Sequence, residues 1–219
     1  MIKYHDIEQQ TDEWFELRKL YPLSASNATA IKTGAVKTDV EKGGGLETLC
    51  WEYVADTYSD DEEDTEEKKW SGNKDSERGN KQESIILGVF SLETGINIKN
   101  TGTVTNDKYD KVCASPDGFT DDATVECKSF NKVKFLKIQA QQNTTGTFDI
   151  DNCHMAQMQQ QMLVMEKEKA YYIVGNTHNT KKQYIWQEVP IDPGIQEKLK
   201  EGIKKGNARI EEIIKVLEY

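Results

Sequence analysis

The apolar positions of this chain change period several times between its ends. At 11–20 (TDEWFELRKL), Trp14 and Leu17 share one helical face, Thr11 stands at a cap position, and Asp12 and Glu13 suit a first turn. A second helix is predicted over 24–33, with Ser24 or Ser26 near its start and Gly34 at its end. Helical spacing returns at 47–58 and at 76–94, the latter closed by Gly95. The period then becomes two. Residues 96–105, 111–115 and 124–129 alternate and are rich in β-branched side chains, so they read as strands. Helices are predicted again over 131–142 and 151–166. In the second, Met155, Met158, Met162 and Met165 form a stripe of core filler. Strands at 170–174 and 184–189 and a helix at 192–217 complete the chain. This order predicts an α/β (α+β) fold, a central mixed β-sheet flanked by helices, as one domain over 1–219.

Composition narrows the class. No run approaches the roughly 18 apolar residues of a membrane span, and the first ten residues lack an apolar signal core. The four cysteines, Cys50, Cys113, Cys127 and Cys153, form no CxxC pair. Free thiols and a cytoplasmic location are the expectation, not a zinc knuckle or a disulfide framework. The net charge of −10 argues at first against a nucleic-acid partner. Eight acids lie between Asp56 and Glu67, however, in a stretch expected to form an exposed acidic loop at about 59–69; the rest is nearly neutral. Between Cys127 and Phe148 the balance reverses. Lys128, Lys132, Lys134 and Lys137 occur there with no acid, a local patch that can attract phosphates.

Candidate chemistry centres on CASPDGFTDDATVECKSF (113–130). Ser115-Pro116-Asp117-Gly118 is a turn signal between two strands. In the strand that follows, Glu126 and Lys128 point to one face, and Val125 and Cys127 to the other. Asp117 at the mouth of the turn can meet Glu126 across the hairpin. Two carboxylates plus the Cys127 backbone carbonyl make an all-oxygen ligand set, which suits Mg²⁺ or Mn²⁺. Lys128 beside them can orient or deprotonate a water, or stabilise negative charge on a phosphate. In a chain with 38 acids and 28 bases the pattern is cheap, and a hairpin with a solvated polar face is the plainer reading of it alone.

Four blocks in order change that balance: EWFELRKLYPLSAS (13–26), RGNKQESI (78–85), ASPDGFTDDATVECKSF (114–130) and HMAQMQQQMLVMEKEKAYYIVGN (154–176). Together they resemble the lambda-exonuclease family, the YqaJ-type viral recombinases, within the PD-(D/E)xK nuclease superfamily. The resemblance implies a restriction-endonuclease-like core and a metal-dependent 5′→3′ exonuclease that degrades one strand of double-stranded DNA in phage-type recombination. Asp117, Glu126 and Lys128 then correspond to the catalytic triad. Glu83 corresponds to a helix acid that helps hold metal or water, and Gln157 to a glutamine near the active centre. Arg18 and Ser26, with Ser24 in a threonine's place, correspond to the receptor of the terminal 5′ phosphate. Lys132, Lys134 and Lys137 are expected on the DNA backbone. The resemblance further implies two Mg²⁺ ions per site with Mn²⁺ as substitute, a homotrimer around the DNA, a possible single-strand annealing partner, and no membrane. The chain departs from the family after Arg18, where LYPLSAS carries one extra residue. It also departs in the acidic loop, which is expected on an outer face. A Cas4-like nuclease would need an iron–sulfur cysteine spacing that is absent here. A restriction enzyme would need a recognition module, for which little chain remains. A non-catalytic DNA-binding protein would have no need of all three of Asp117, Glu126 and Lys128.

Overall fold

The computed structural model describes residues 1–35, 45–59 and 74–218. The expected acidic loop lies almost wholly outside them. The helices are α1 (Asp12–Lys19), α2 (Ala28–Thr33), α3 (Leu46–Tyr58), α4 (Lys74–Thr94), α5 (Lys132–Thr145), α6 (Asn152–Met165) and α7 (Pro193–Leu217). Their ends follow local chemistry. Thr11 accepts the Trp14 N–H at 3.3 Å, Asn131 accepts that of Lys134 at 2.9 Å, and Asp192 that of Ile195 at 2.9 Å. Gly34 closes α2 in the left-handed region, as a C-terminal glycine does.

The mixed α/β class holds, with the strands divided between two four-stranded sheets. The first, in order β1-β3-β4-β2, joins β1 (Ile2–His5), β3 (Thr103–Asn106), β4 (Val112–Ala114) and β2 (Leu23–Ser24). The second, β5-β6-β7-β8, joins β5 (Gly118–Phe119), β6 (Ala123–Ser129), β7 (Lys169–Gly175) and β8 (Tyr184–Pro190). β6 and β7 are parallel, and α5 and α6 form the crossover such a pair requires.

Two expectations shift. The α-helix expected from Ser24 begins only at Ala28, and Ser24 itself ends β2 and stands at the N-cap of a 3₁₀ turn. It pairs with Cys113 in β2, and Ser26 lies in that turn (Ala25–Asn27) ahead of α2. The strand expected over 96–105 is ladder-paired only from Thr103. Before it, Lys99 makes a single bridge to Phe119, and Gly102 passes so close to Ile7 that a Cβ would sit 2.0 Å from its carbonyl oxygen.

α6 lies between the sheets. Ala156, Leu163, Val164 and Met165 join the core of the first sheet with Leu23, Val104 and Val112. Met158 and Met162 join the core of the second with Tyr172, Val174 and Ile185. The methionine stripe is therefore core filler, as its spacing implies. On the opposite face of the second sheet, Ile86 and Phe90 of α4 pack on Val125, Cys127 and Ile173. This packing carries Glu83, one turn earlier on α4, to the edge of β6.

Candidate active site

β5 is two residues long and covers β6 only as far as Val125. Gly118 sits there because a Cβ would fall 2.3 Å from the Ile98 side chain. Its role in the Ser-Pro-Asp-Gly segment is close packing. The Asp117 N–H donates to the Val125 carbonyl at 3.1 Å, and the strand partner then ends. Beyond that point two carboxylates take the edge. The Cys127 N–H donates to Asp117 Oδ2 at 2.7 Å, and the Ser129 N–H to Glu83 Oε1 at 3.2 Å. A strand residue turns its N–H and C=O to the same edge, so the Cys127 carbonyl faces this site as well.

Alternation sends the Glu126 and Lys128 side chains to the α6 face. Glu126 is completely buried. Lys128 Nζ lies 2.5 Å from its Oε1, and Gln161 Nε2 donates to its Oε2 at 2.6 Å. Burial, then the Glu126 charge, pushes the Asp117 carboxyl up to about 8. Burial also raises Glu83. For Lys128 burial opposes the charge, but Glu126, Asp117 and Glu83 outweigh it and hold the ammonium well above its ordinary range. Lys128 is thus a fixed positive charge. The Cys127 thiol points away and is raised by burial, so it is inert.

Among the described residues, no group of three or more His, Cys, Asp or Glu side chains is arranged to hold a metal ion. What converges is a carboxylate pair, Asp117 and Glu126, with the Cys127 carbonyl beside it; Glu83 is engaged by Ser129. Such crowded, partly compensated oxygen donors suit a hard cation that keeps several waters.

The residues expected to receive phosphate come together. Arg18, in the last turn of α1, donates through Nη2 to Ser24 Oγ at 2.9 Å and Ser26 Oγ at 2.8 Å. Its guanidinium carbon stands 4.4 Å from the Trp14 ring centroid. In the turn after α1 the Tyr21 N–H donates to the Arg18 carbonyl at 2.9 Å. No carboxylate among the described residues pairs with Arg18.

A family model for the YqaJ-like viral recombinase domain matches residues 13–168. The chain belongs to this family. No curated protein matches it. Its structure is similar to an alkaline exonuclease from Laribacter hongkongensis, at 20% identity over 95% of this chain and 96% of that one, with a TM-score of 0.73. The same enzyme in complex with dAMP matches at 0.72 with the same identity and coverage. A phage-related exonuclease from Haemophilus somnus matches at 13% identity over 92% and 99%, with a TM-score of 0.53. This YqaJ-like chain therefore shares the exonuclease fold. Among its described residues no helix is long and apolar enough to cross a membrane.

Of two hollows in this part of the second sheet, the carboxylates Glu83 and Asp117 line only the first. The first, of about 480 Å³, is lined by Gln9, Glu83, Ser84, Leu87, Asn100 and Asp117. The other, of about 1150 Å³, is lined by Gln82, Phe130, Lys132, Lys134, Lys137 and His178. Lys132 and Lys137 are exposed on α5, whereas Lys134 pairs with Asp151 at 2.9 Å and lies over the Phe130 ring. Gln157 is half-buried, and its side chain makes no hydrogen bond to another described residue. Gln161, one turn on, holds Glu126. Gln161 escaped the sequence reading, as did Gln9, whose Nε2 donates to the carbonyls of Thr101, Gly102 and Pro116 at 3.0–3.3 Å. For Gln161 the one visible signal was a run of three glutamines amid buried methionines.

Proposed function

We propose that this YqaJ-like protein is a metal-dependent 5′→3′ exonuclease that degrades one strand of duplex DNA from a 5′-phosphorylated end during phage-type recombination in the host cytoplasm. The observation that carries the reading is the pairing of two sites in one fold. One is an acid-rich edge at Asp117 and Glu126 with the charged Lys128. The other is a guanidinium that donates to two hydroxyls with no described carboxylate to neutralise it.

Asp117, Glu126, the Cys127 carbonyl and Glu83 would hold Mg²⁺, or Mn²⁺ in its place, as two ions per site. When bound, such ions polarise a phosphodiester and make water a better nucleophile. The chain's own groups do the rest. Lys128 supplies positive charge where negative charge builds on the phosphate. The Gln157 amide is free to orient water or a phosphate oxygen. Arg18 offers a planar fork to the terminal phosphate, and Ser24 and Ser26 offer hydroxyls. Lys132, Lys134 and Lys137 line the groove for the DNA backbone. A homotrimer enclosing the DNA, and a single-strand annealing protein as partner, belong to the same proposal.

The test is digestion of duplexes labelled at the 5′ or the 3′ end, with Mg²⁺, each carrying a 5′ phosphate or a 5′ hydroxyl. Early release of the 5′ label, fastest from the phosphorylated end, is expected. Early release of the 3′ label, or endonucleolytic fragments, would refute it.

A further inference from the structure

Gln159, Gln160 and Gln161 are consecutive, and all three are fully buried. Successive residues of a helix point about 100° apart, so each meets a different element. Gln159 Nε2 donates to the Pro190 carbonyl at 2.8 Å, and its Oε1 accepts the Asp192 N–H at 2.9 Å, which ties the end of β8 to the start of α7. Gln160 Nε2 donates to the Leu23 carbonyl at 2.8 Å, in β2 next to Ser24. Gln161 Nε2 donates to Glu126 Oε2 at 2.6 Å. The Oε1 atoms of Gln160 and Gln161 are buried and have no partner among the described residues. Each of these two amides therefore serves as a donor.

A buried amide half-satisfied in this way opposes folding unless its donor bond is well made. Apolar residues would fill the same space between two sheets. The two bonds join the sheets at points of chemical interest. One holds the strand that carries Ser24, to which Arg18 donates. The other holds the carboxylate that Lys128 pairs with. Between them lies one peptide unit of a rigid helix.

We propose that Gln160 and Gln161 are positioning residues that set the spacing between the 5′-phosphate pocket and the catalytic carboxylate. Gln160 fixes β2, and through it the Arg18–Ser24–Ser26 cluster. Gln161 fixes Glu126. The distance from terminal phosphate to hydrolysed bond is then written into adjacent side chains of α6. This inference rests on the exonuclease reading above.

The experiment uses Gln160→Met and Gln161→Met in the full chain, since methionine keeps the length and loses the donor. Initial rates are measured on 5′-phosphorylated and 5′-hydroxyl duplex, and Mn²⁺ binding is followed by calorimetry. Gln160→Met should cut the phosphate-to-hydroxyl rate ratio by about fivefold or more, the worth of one buried hydrogen bond, and leave Mn²⁺ affinity unchanged. Gln161→Met should lower kcat on both ends alike and weaken Mn²⁺ binding. Combined with Arg18→Ala, Gln160→Met should reduce the ratio no further, because both act on one pocket. If a methionine variant fails to fold, Gln160→Ala or Gln161→Ala, which leaves room for a bridging water, carries the same expectations. A Gln160 variant that lowers both rates equally, or keeps the wild-type ratio, overturns the inference while the exonuclease reading stands. A wild type that shows no preference for the phosphorylated end overturns both.

Discussion

Glu126 and Lys128 pair at 2.5 Å, the carboxylate buried and the ammonium about a quarter exposed. Strand alternation puts them side by side, and the surrounding acids keep the lysine charged. Replacing Lys128 leaves the buried Glu126 charge uncompensated, whereas without Glu126 the ammonium still faces Asp117 and Glu83.

Asp117→Ala, Glu126→Ala and Lys128→Ala should each lower cleavage by about a thousandfold or more, the scale of losing an essential electrostatic group. Circular dichroism should show the fold retained. Because the three act as a unit, double variants should be little worse than single ones. Calorimetry with Mn²⁺ should show weakened binding for the first two and near-normal binding for the third. Near-wild-type turnover by Lys128→Ala would remove that residue from the mechanism.

EDTA should abolish digestion, and added Mg²⁺ or Mn²⁺ should restore it. Ca²⁺ tolerates more ligands and looser geometry, so it should compete with Mg²⁺ and support little turnover. Full activity in EDTA would contradict the metal assignment.

The raised Asp117 carboxyl predicts a pH effect on stability without metal. Its folded value of about 8 stands above the ordinary 3.8, so between those pH values the folded state binds the extra proton. Stability contributed by this group is therefore full at low pH and is lost as pH rises towards 8. Glu83, also raised, acts in the same direction. Carboxylates held low, such as Glu47 beside Arg209, act only in acid, whereas His154, whose imidazole burial holds below its ordinary 6.5, opposes the decline only below that pH and leaves the range from 6.5 to 8 to Asp117 and Glu83. Asp117→Asn should flatten the decline. In EDTA at pH 8.5 its Tm should exceed that of wild type by about 4 °C or more, given about 2–4 °C per kcal/mol for a chain of this size. At pH 5 the difference should be small. A difference independent of pH, read by thermal denaturation, would contradict the assignment.

Arg18→Ala should erase most of any preference for a 5′ phosphate and spare Mn²⁺ binding. A charged hydrogen bond contributes about 1.5–3 kcal/mol, so the loss should be about tenfold to a hundredfold in the rate ratio. Rate comparison on the two ends is the check, and an unchanged ratio in the variant would place phosphate recognition elsewhere.

Replacing both Lys132 and Lys137 by alanine should weaken binding to all duplexes alike. Each phosphate contact contributes about 0.9 to the salt slope, so the plot of log Kd against log salt should flatten by about two. Titration at several salt concentrations tests this. An unaltered slope would mean that the α5 groove does not track the DNA.

Much of this architecture was readable from local rules. Thr11 announces its helix because a cap acts within one turn, and Ser115-Pro116-Asp117-Gly118 announces the turn before β6 because its residue types act locally. Ser24 was misplaced because its fate depends on pairing with Cys113, far along the chain. β1 was missed for the same reason, since its partner is β3. The glutamine run was passed over because polar residues in a helix ordinarily read as surface. Their burial is decided by donors and acceptors on β2, β6 and β8, and no periodicity records such partners.

The shortness of β5 gives the edge of β6 its chemistry. Two more paired residues would bring backbone donors and acceptors opposite Cys127 and Ser129 and complete the ladder. Asp117 and Glu83 would lose the amides they now hold, and the sheet would gain regularity and lose its reactive margin. A segment swap or loop redesign around 116–120 that improves strand pairing should therefore yield a sturdier, chemically silent protein. In this fold an interrupted sheet is the condition for having a site at all.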